Sequence, residues 1–340
     1  MSKRQHVLLF VTLLASFIGL SFKVFAQEPP DAATLKPGDK AEVLFIASAP
    51  GAEKDEKGQP VLASLDPVAF LVGSELRDCA TAHPAPGEVN VPKATIQTLN
   101  RFYIKGRRFP LWWGGAPWGE AEAISSCIDG SDGDYLDFEG CFRLHPDKAH
   151  HDAQRDFKGT VWTGIAAAGS HPALRTKANA EERALFLQAA SDVYAARHVR
   201  VVPFSIHSGI IWKMQLQTGH SALTGSTLVQ RASAKPKTYY SYRIFLVAEE
   251  DKGTYLPVLN HYRRSTITLE DTTKLPNAGE VIDEEENVDK EVFVDNFPLF
   301  PGEPDAIITE HTYYESWAYS VYRRVGAKYH LIYTGCGGGT

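Results

Sequence analysis

Strand-like segments recur along most of this chain, and only one segment has the pattern of a long helix. Stretches such as AEVLFIAS (41–48) and TYYSYRIFLVAEE (238–250) concentrate β-branched, aromatic and large apolar residues between polar breaks, as strands do. A single strong helix argues against a doubly wound parallel sheet. We therefore predict a mainly β (α+β) fold of antiparallel β-meanders, propeller-like or sandwich-like, with one prominent amphipathic helix near residues 180–197.

The predicted helix carries its own start signal. Asn179 can cap the N-terminus, and Glu182, three residues later, completes a capping box. Apolar residues then recur at the spacing that places them on one helical face, namely Leu185, Phe186, Ala189, Ala190, Val193 and Tyr194. This pattern predicts a helix that packs on a sheet.

Turn residues divide the remaining segments into strands. The sequence EEDKG (249–253) separates two strand-like runs and predicts a β-hairpin. Residues 199–206 (VRVVPFSI) are expected to form a strand, and residues 62–76 a strand or pair of strands broken at Pro67. Residues 280–291 (EVIDEEENVDKE) are interpreted as a solvated loop because they form a charge run. Three further strands are expected after it.

The N-terminus has the pattern of an export signal. Lys3 and Arg4 precede an apolar run at 7–22, and Val24 and Ala26 occupy positions −3 and −1 of a cleavage site. An apolar run of roughly 16 residues is short for a transmembrane helix, which needs about 20. Residues 1–26 are therefore predicted to be a signal peptide of a secreted or periplasmic protein. An uncleaved N-terminal membrane anchor is the alternative.

Composition limits the domain organisation and the partners. After a Pro-rich leader (27–38), the sequence divides into a β-rich region (39–150) and a region with the helix and a C-terminal β-meander (151–340). These regions form two domains or one continuous domain. An apolar content of 44% supplies a hydrophobic core, and a net charge of −6 argues against a nucleic-acid partner. No membrane span is predicted after signal cleavage.

Four cysteines follow the predicted signal peptide: Cys79, Cys127, Cys141 and Cys336. An even number of cysteines in an exported chain favours disulfide bonds. Of the three connectivities we prefer Cys127–Cys141, the nearest pair, which leaves Cys79–Cys336. Free buried cysteines are the alternative.

The segment 292–336 contains PGEPDAIIT, followed by the strand-like runs YSVYRR and YHLIYTG. On these motifs it resembles an FG-GAP or VCBS-type repeat blade of the integrin-like β-propellers, which bind calcium through a D-x-D/N-x-D-G-x-x-D loop. This chain matches the loop at Gly302 and Asp305 but has other residues at the first three ligand positions, namely Phe297, Leu299 and Pro301. The resemblance implies a blade-like β-meander that has lost its metal site.

Acidic residues also cluster between the two nearest cysteines, in IDGSDGDYLDFEG (128–140). A calcium site formed by Asp129, Asp132 and Asp134 is one hypothesis. An EF-hand loop that starts at Asp129 would need Gly at its sixth position and Glu at its twelfth, and the chain has Asp134 and Gly140 there. We therefore favour an acidic hairpin tip between two strands.

The twelve histidines show no spacing typical of metal ligands. His83, His145 and His171 each precede proline, which favours extended or turn backbone. Most of the histidines are therefore expected to be surface or loop residues. No cofactor is predicted, apart from the calcium alternative.

Trp112, Trp113 and Trp118 lie within seven positions and are separated by Gly and Pro. They either fill a β-core where strands approach closely or line a groove for a sugar or peptide. In such a groove Glu120 and Glu122, at i and i+2 on one strand face, would add hydrogen bonds or act as general acid and base.

The leading hypothesis for function is an exported, non-catalytic protein that binds a partner through aromatic and loop surfaces, with a carbohydrate or peptide as the candidate ligand. A secreted hydrolase with a Trp/Glu-lined cleft is the second hypothesis. A calcium-stabilised binding module is the third. No catalytic residue is predicted.

Overall fold

The computed structural model describes residues 35–48, 63–78, 97, 100–102, 104–113, 116–129, 137–146, 158–162, 175–201, 203–216, 219–269, 290–297, 299–300, 302–312 and 316–339. Most of these residues are in β-strands, which form three antiparallel sheets. All three sheets belong to one structural unit, Asp31–Thr340. The prediction of a mainly β fold with one prominent helix is confirmed.

The first sheet has seven strands: β1 (Ala41–Ser48), β2 (Ala63–Val72), β3 (Glu75–Arg77), β4 (Arg108–Trp113), β5 (Ala116–Asp129), β6 (Asp137–Pro146) and β7 (Lys158–Trp162). Their order is β1-β7-β4-β5-β6-β2-β3, and β1 also pairs with β2. One face of this sheet buries Phe45, Phe109 and Phe142, whose rings meet edge to face.

The second sheet has six strands: β8 (Arg175–Lys177), β9 (His207–Ser208), β10 (Trp212–Gln215), β11 (Ser221–Ala232), β12 (Thr238–Asp251) and β13 (Thr254–Thr268). Its order is β13-β12-β11-β10-β8, and β9 pairs with β11. The helix α1 (Ala180–Ala196) and a short 3-10 helix (Pro203–Ser205) lie in the same part of the chain.

The third sheet has four strands in sequence order: β14 (Lys290–Phe297), β15 (Ala306–Thr312), β16 (Ser316–Val325) and β17 (Lys328–Gly339). Its two faces pack against different sheets. Ile308 and Val321 contact Leu44 and Val68 of the seven-stranded sheet, whereas Ile307, Tyr322 and Phe293 contact Phe245 and Leu259 of the six-stranded sheet. The four-stranded sheet is therefore the middle layer of three.

The helix α1 covers the other face of the six-stranded sheet. Asn179 and Glu182 form the predicted capping box, and the helix buries Phe186, Ala190 and Tyr194 against β11 and β12. Tyr194 is also hydrogen-bonded to Thr227, at 3.1 Å. Leu185, expected on the same face, is half-buried. The layers thus run from α1 through the six-stranded and four-stranded sheets to the seven-stranded sheet.

Several predicted strand pairings are confirmed. β12 and β13 form the hairpin expected around 249–253, and its turn places Lys252 and Gly253 at φ 51° and φ 84°, as a tight two-residue turn requires. β5 and β6 pair on either side of residues 130–136, as expected for a hairpin. β16 and β17 pair across Gly326.

Three local predictions were wrong. Residues 199–201 and 203–206 contain no strand but a 3-10 turn at Pro203–Ser205, because proline removes a donor from the ladder. β2 continues through Pro67, and the irregularity in its pairing with β1 skips Val68. Four strands, rather than three, follow the acidic segment, because β14 begins at Lys290.

Among the described residues, no helix is long and apolar enough to cross a membrane.

Candidate functional site

A cluster of two histidines and one glutamate lies between the six-stranded and four-stranded sheets. His261 comes from β13, Glu291 from β14 and His311 from β15. Glu291 and His311 are directly opposite each other in the β14–β15 pairing, and His261 reaches them from the facing sheet. One potential ligand atom from each residue lies within 4.8 Å of the others. We call these three residues the His–Glu–His cluster.

The two carboxylate oxygens of Glu291 have different histidine neighbours. Oε2 is 2.6 Å from Nδ1 of His261, and Oε1 is 3.1 Å from Nε2 of His311. The hydroxyls of Thr309 and Tyr322 each donate to Oε1, both at 2.7 Å. The carboxylate is therefore held from both sheets.

Burial and hydrogen bonding act in opposite directions on Glu291. Burial favours the neutral acid, but hydrogen bonds and positive charge from His261 and His311 outweigh it and hold the pKa of Glu291 well below its usual range. Burial and the adjacent carboxylate also raise the pKa of Tyr322 well above its ordinary value. Tyr322 is therefore a neutral hydrogen-bond donor to an ionised carboxylate.

A pocket of about 420 Å³ opens beside this cluster, and we call it the intersheet pocket. Among the described residues, its lining includes His261 and Glu291, apolar residues such as Phe245, and the cationic residues Arg243, Arg263 and Lys290. The volume falls in the range of about 300–1,000 Å³ that is common for small-molecule sites.

Arg243 and Arg263 are directly opposite each other on β12 and β13. Like charges that face each other across two strands destabilise a sheet. Lys290, another cationic residue, borders the pocket from β14, where its side chain alternates with that of Glu291. Among the described lining residues, arginine and lysine therefore outnumber carboxylates.

A second buried polar group lies further along β14. Asp295 is buried, and its Oδ1 is 3.9 Å from the guanidinium of Arg175. Burial raises the pKa of Asp295 to about 6, although the charge of Arg175 opposes this. Asn296, next in the chain, donates from its side chain to Asp305 at 2.9 Å.

The sequence-predicted carboxylates occupy a different surface. Glu120 and Glu122 are on β5, on the face opposite the buried Ala121 and Ala123. Oε2 of Glu120 is 3.0 Å from the guanidinium of Arg108, and Oε2 of Glu122 is 3.6 Å from it. Glu122 is also 2.9 Å from Nε2 of His145. These residues form an ion-pair network on the outer surface of the seven-stranded sheet.

The Trp cluster and the acidic hairpin tip are only partly within the described residues. The backbones of Trp112, Trp113 and Trp118 belong to β4 and β5, but their side chains lie outside the described residues. Asp129 ends β5, opposite Asp137, and Asp132 and Asp134 lie outside the described residues.

Three of the four cysteines are on described strands. Cys127 and Cys141 are on the paired strands β5 and β6, opposite Glu139 and Ser125. Cys336 is on β17, and Cys79 lies outside the described residues. Both disulfide bonds therefore stay predictions.

The His–Glu–His cluster was missed because two interpretations of the sequence were wrong for its members. Glu291, the last residue of the acidic run 280–291, is not in a solvated loop but is buried in β14. His311 is not a surface residue; it is 1% exposed in β15. A signal was present, since His311 shares the alternation of Ile307 and Thr309, which are buried.

A scan against protein-family models and searches of curated proteins and of solved structures found no match to this chain. The propeller-blade resemblance of residues 292–336 therefore stays a prediction. These residues form most of a four-stranded antiparallel meander. Asp305, which the resemblance aligns with the last calcium ligand, is buried and accepts a hydrogen bond from Asn296.

Proposed function

We propose that this chain is an exported, non-catalytic binding protein and that its intersheet pocket takes a small anionic molecule. Support for export comes from the N-terminal pattern of Lys3, Arg4 and the apolar run 7–22. The observation that carries the choice of ligand is the cross-strand pair of Arg243 and Arg263 in the lining of the intersheet pocket.

The arginine pair favours an anionic ligand on electrostatic grounds. Two guanidiniums at directly opposite positions can both donate charge-assisted hydrogen bonds to one negative group between them. Arginine presents a planar fork of donors that matches carboxylate and phosphate groups. Apolar residues such as Phe245 and Leu228 would contact the uncharged part of the ligand.

The test compares the affinities of matched ligands for the protein. Metal is first removed with a chelator, and the chelator is then removed by dialysis. Inorganic phosphate, citrate and glucuronate are the anionic probes, and glucose is the neutral counterpart of glucuronate. We expect calorimetry to detect binding of at least one anionic probe and none of glucose. Binding of glucose as tight as that of glucuronate, or no binding of any anion, would contradict the proposal.

Two neighbouring arginines provide the matched variants. Arg263 lines the pocket, whereas Arg264 lies on the other face of β13, with its guanidinium 4.5 Å from the ring centre of Tyr240. Arg263→Gln is expected to weaken binding of the anion about tenfold or more, because a charge-assisted contact is lost. Arg264→Gln should leave the affinity unchanged. Equal effects of the two substitutions would show that the charge acts from outside the intersheet pocket.

A further inference from the structure

We infer that the His–Glu–His cluster is a binding site for a divalent first-row transition-metal ion, for which Zn²⁺ is the best match. The three side chains offer two imidazole nitrogens and one carboxylate oxygen. Two histidines and one carboxylate form a common protein ligand set for zinc and for non-haem iron. This inference is independent of the anionic ligand proposed above.

The distances between the ligand atoms suit one ion. Atoms that bind one tetrahedral zinc ion at about 2.1 Å lie roughly 3.4 Å from each other. In the cluster, Oε2 of Glu291 is 2.6 Å from Nδ1 of His261, and Oε1 of Glu291 is 3.1 Å from Nε2 of His311. One ligand atom from each of the three residues lies within 4.8 Å of the others. Changes of about 1–1.5 Å in these separations would bring all three atoms to bonding distance of one ion.

The cluster is also held in place without an ion. All three residues are on strands rather than loops, and Glu291 is fixed against His311 by the β14–β15 register. Thr309 and Tyr322 donate to one oxygen of Glu291. Hydrogen bonds of this kind orient ligands and strengthen metal binding in known sites. The backbone carbonyl of Glu291 also accepts from the hydroxyl of Ser226, on the facing sheet.

Burial and access complete the argument. The side chains of His311 and Glu291 are 1% and 6% exposed, whereas that of His261 is 24% exposed. His261 and Glu291 line the intersheet pocket, which gives an ion an entry path and leaves room for water or a ligand at a fourth position. Structural zinc sites usually have four protein ligands, whereas three protein ligands leave one position open for water or a bound molecule.

The competing explanation is a hydrogen-bond network that serves only to satisfy buried polar groups. In that case the histidines donate to Glu291 and no ion binds. The two explanations differ in one measurable respect, which is the affinity of the folded protein for the metal alone.

The experiment uses tag-free protein that has been depleted of metal with a chelator and dialysed. Calorimetry with zinc chloride, together with elemental analysis after equilibrium dialysis, is expected to show one Zn²⁺ per chain bound with micromolar or tighter affinity. His261→Ala and Glu291→Gln are expected to weaken this affinity about 100-fold or more. We expect both variants to fold, because His261 is partly exposed and Gln has nearly the same shape as Glu. Circular dichroism checks that they do.

His207→Ala is the matched control, because His207 lines the same pocket but lies outside the cluster. It should bind zinc as the wild type does. No stoichiometric zinc binding by the wild type, or binding that survives in both cluster variants, would overturn the inference. If neither variant folds, the visible spectrum of the Co²⁺-loaded wild type decides. A cobalt band that zinc displaces supports the site, and its absence overturns it.

Discussion

The four-stranded sheet has two buried faces, and they differ in what they bury. Toward the seven-stranded sheet, Ile308 and Val321 join an apolar cluster. Toward the six-stranded sheet, the same strands place Thr309, His311 and Tyr322 around the carboxylate of Glu291. Ile308 and Thr309 are neighbours in sequence, so the alternation of one strand separates the two environments.

Both faces are buried, so solvent exposure does not explain why the second face carries polar residues. A buried polar group costs free energy unless it is hydrogen-bonded, and a buried carboxylate costs more. Glu291 meets this cost with donors from three different strands. An apolar interface of the kind present on the first face would be simpler to build, which favours a role for the polar interface beyond stability.

The largest expected effect comes from the apolar face. Ile308→Ala removes a fully buried side chain from the cluster beside Val321. We expect the free energy of unfolding to fall by about 2–5 kcal/mol, from lost burial and the cavity that remains, as measured by urea denaturation. Zinc affinity of the folded fraction should not change. A loss of zinc affinity without a loss of stability would mean that the two faces are not independent.

The next effect is a pH dependence at Asp295, whose pKa burial raises to about 6. Between the unfolded pKa of about 3.9 and about 6, the unfolded state has lost the proton that the folded state keeps, so stability falls as pH rises through this window. Asp295→Asn removes the titration. Relative to this variant, the wild type should lose about 2 kcal/mol between about pH 4.5 and pH 7.5.

Urea denaturation of both proteins at the two pH values measures this change. Asn keeps an oxygen that can accept from the backbone of Asn296, as Asp295 does. A difference between the proteins that stays constant with pH would show that Asp295 is ionised throughout, held by Arg175.

The smallest effect compares two buried tyrosines, one on each face. Tyr322→Phe removes a donor to Glu291, and Tyr333→Phe removes a donor to the carbonyl of Val68. Each should lower the free energy of unfolding by about 1–2 kcal/mol. Only Tyr322→Phe should weaken zinc binding, by about tenfold, as measured by calorimetry. Equal zinc affinities in the two variants would remove Tyr322 from the support of the site.

Local patterns predicted local structure well. The capping box at Asn179 and Glu182 and the hairpin turn at 249–253 depend on residues close in sequence, and both are present. The predicted break at Pro67 was wrong, because a proline ends a strand only where its missing N–H is needed. Here an irregularity in the pairing of β1 and β2 accommodates the proline.

The candidate site depends on contacts that local patterns do not encode. His261, Glu291 and His311 come from three strands and two sheets, and their meeting depends on how the sheets pack. The alternation around His311 could have marked it as buried. The partner of that histidine could not be found, because Glu291 ends an acidic run that resembles a solvated loop.

The order of the sheets along the chain differs from their order in space. The seven-stranded sheet ends at Trp162, the six-stranded sheet ends at Thr268, and the middle layer is formed last, by residues 290–339. The two outer sheets are therefore synthesised before the strands that cover their apolar faces. Tyr333 bonds to Val68 across 265 residues, and contacts of such long range form slowly. Folding of this chain should therefore be a late, cooperative event that follows completion of its final strands.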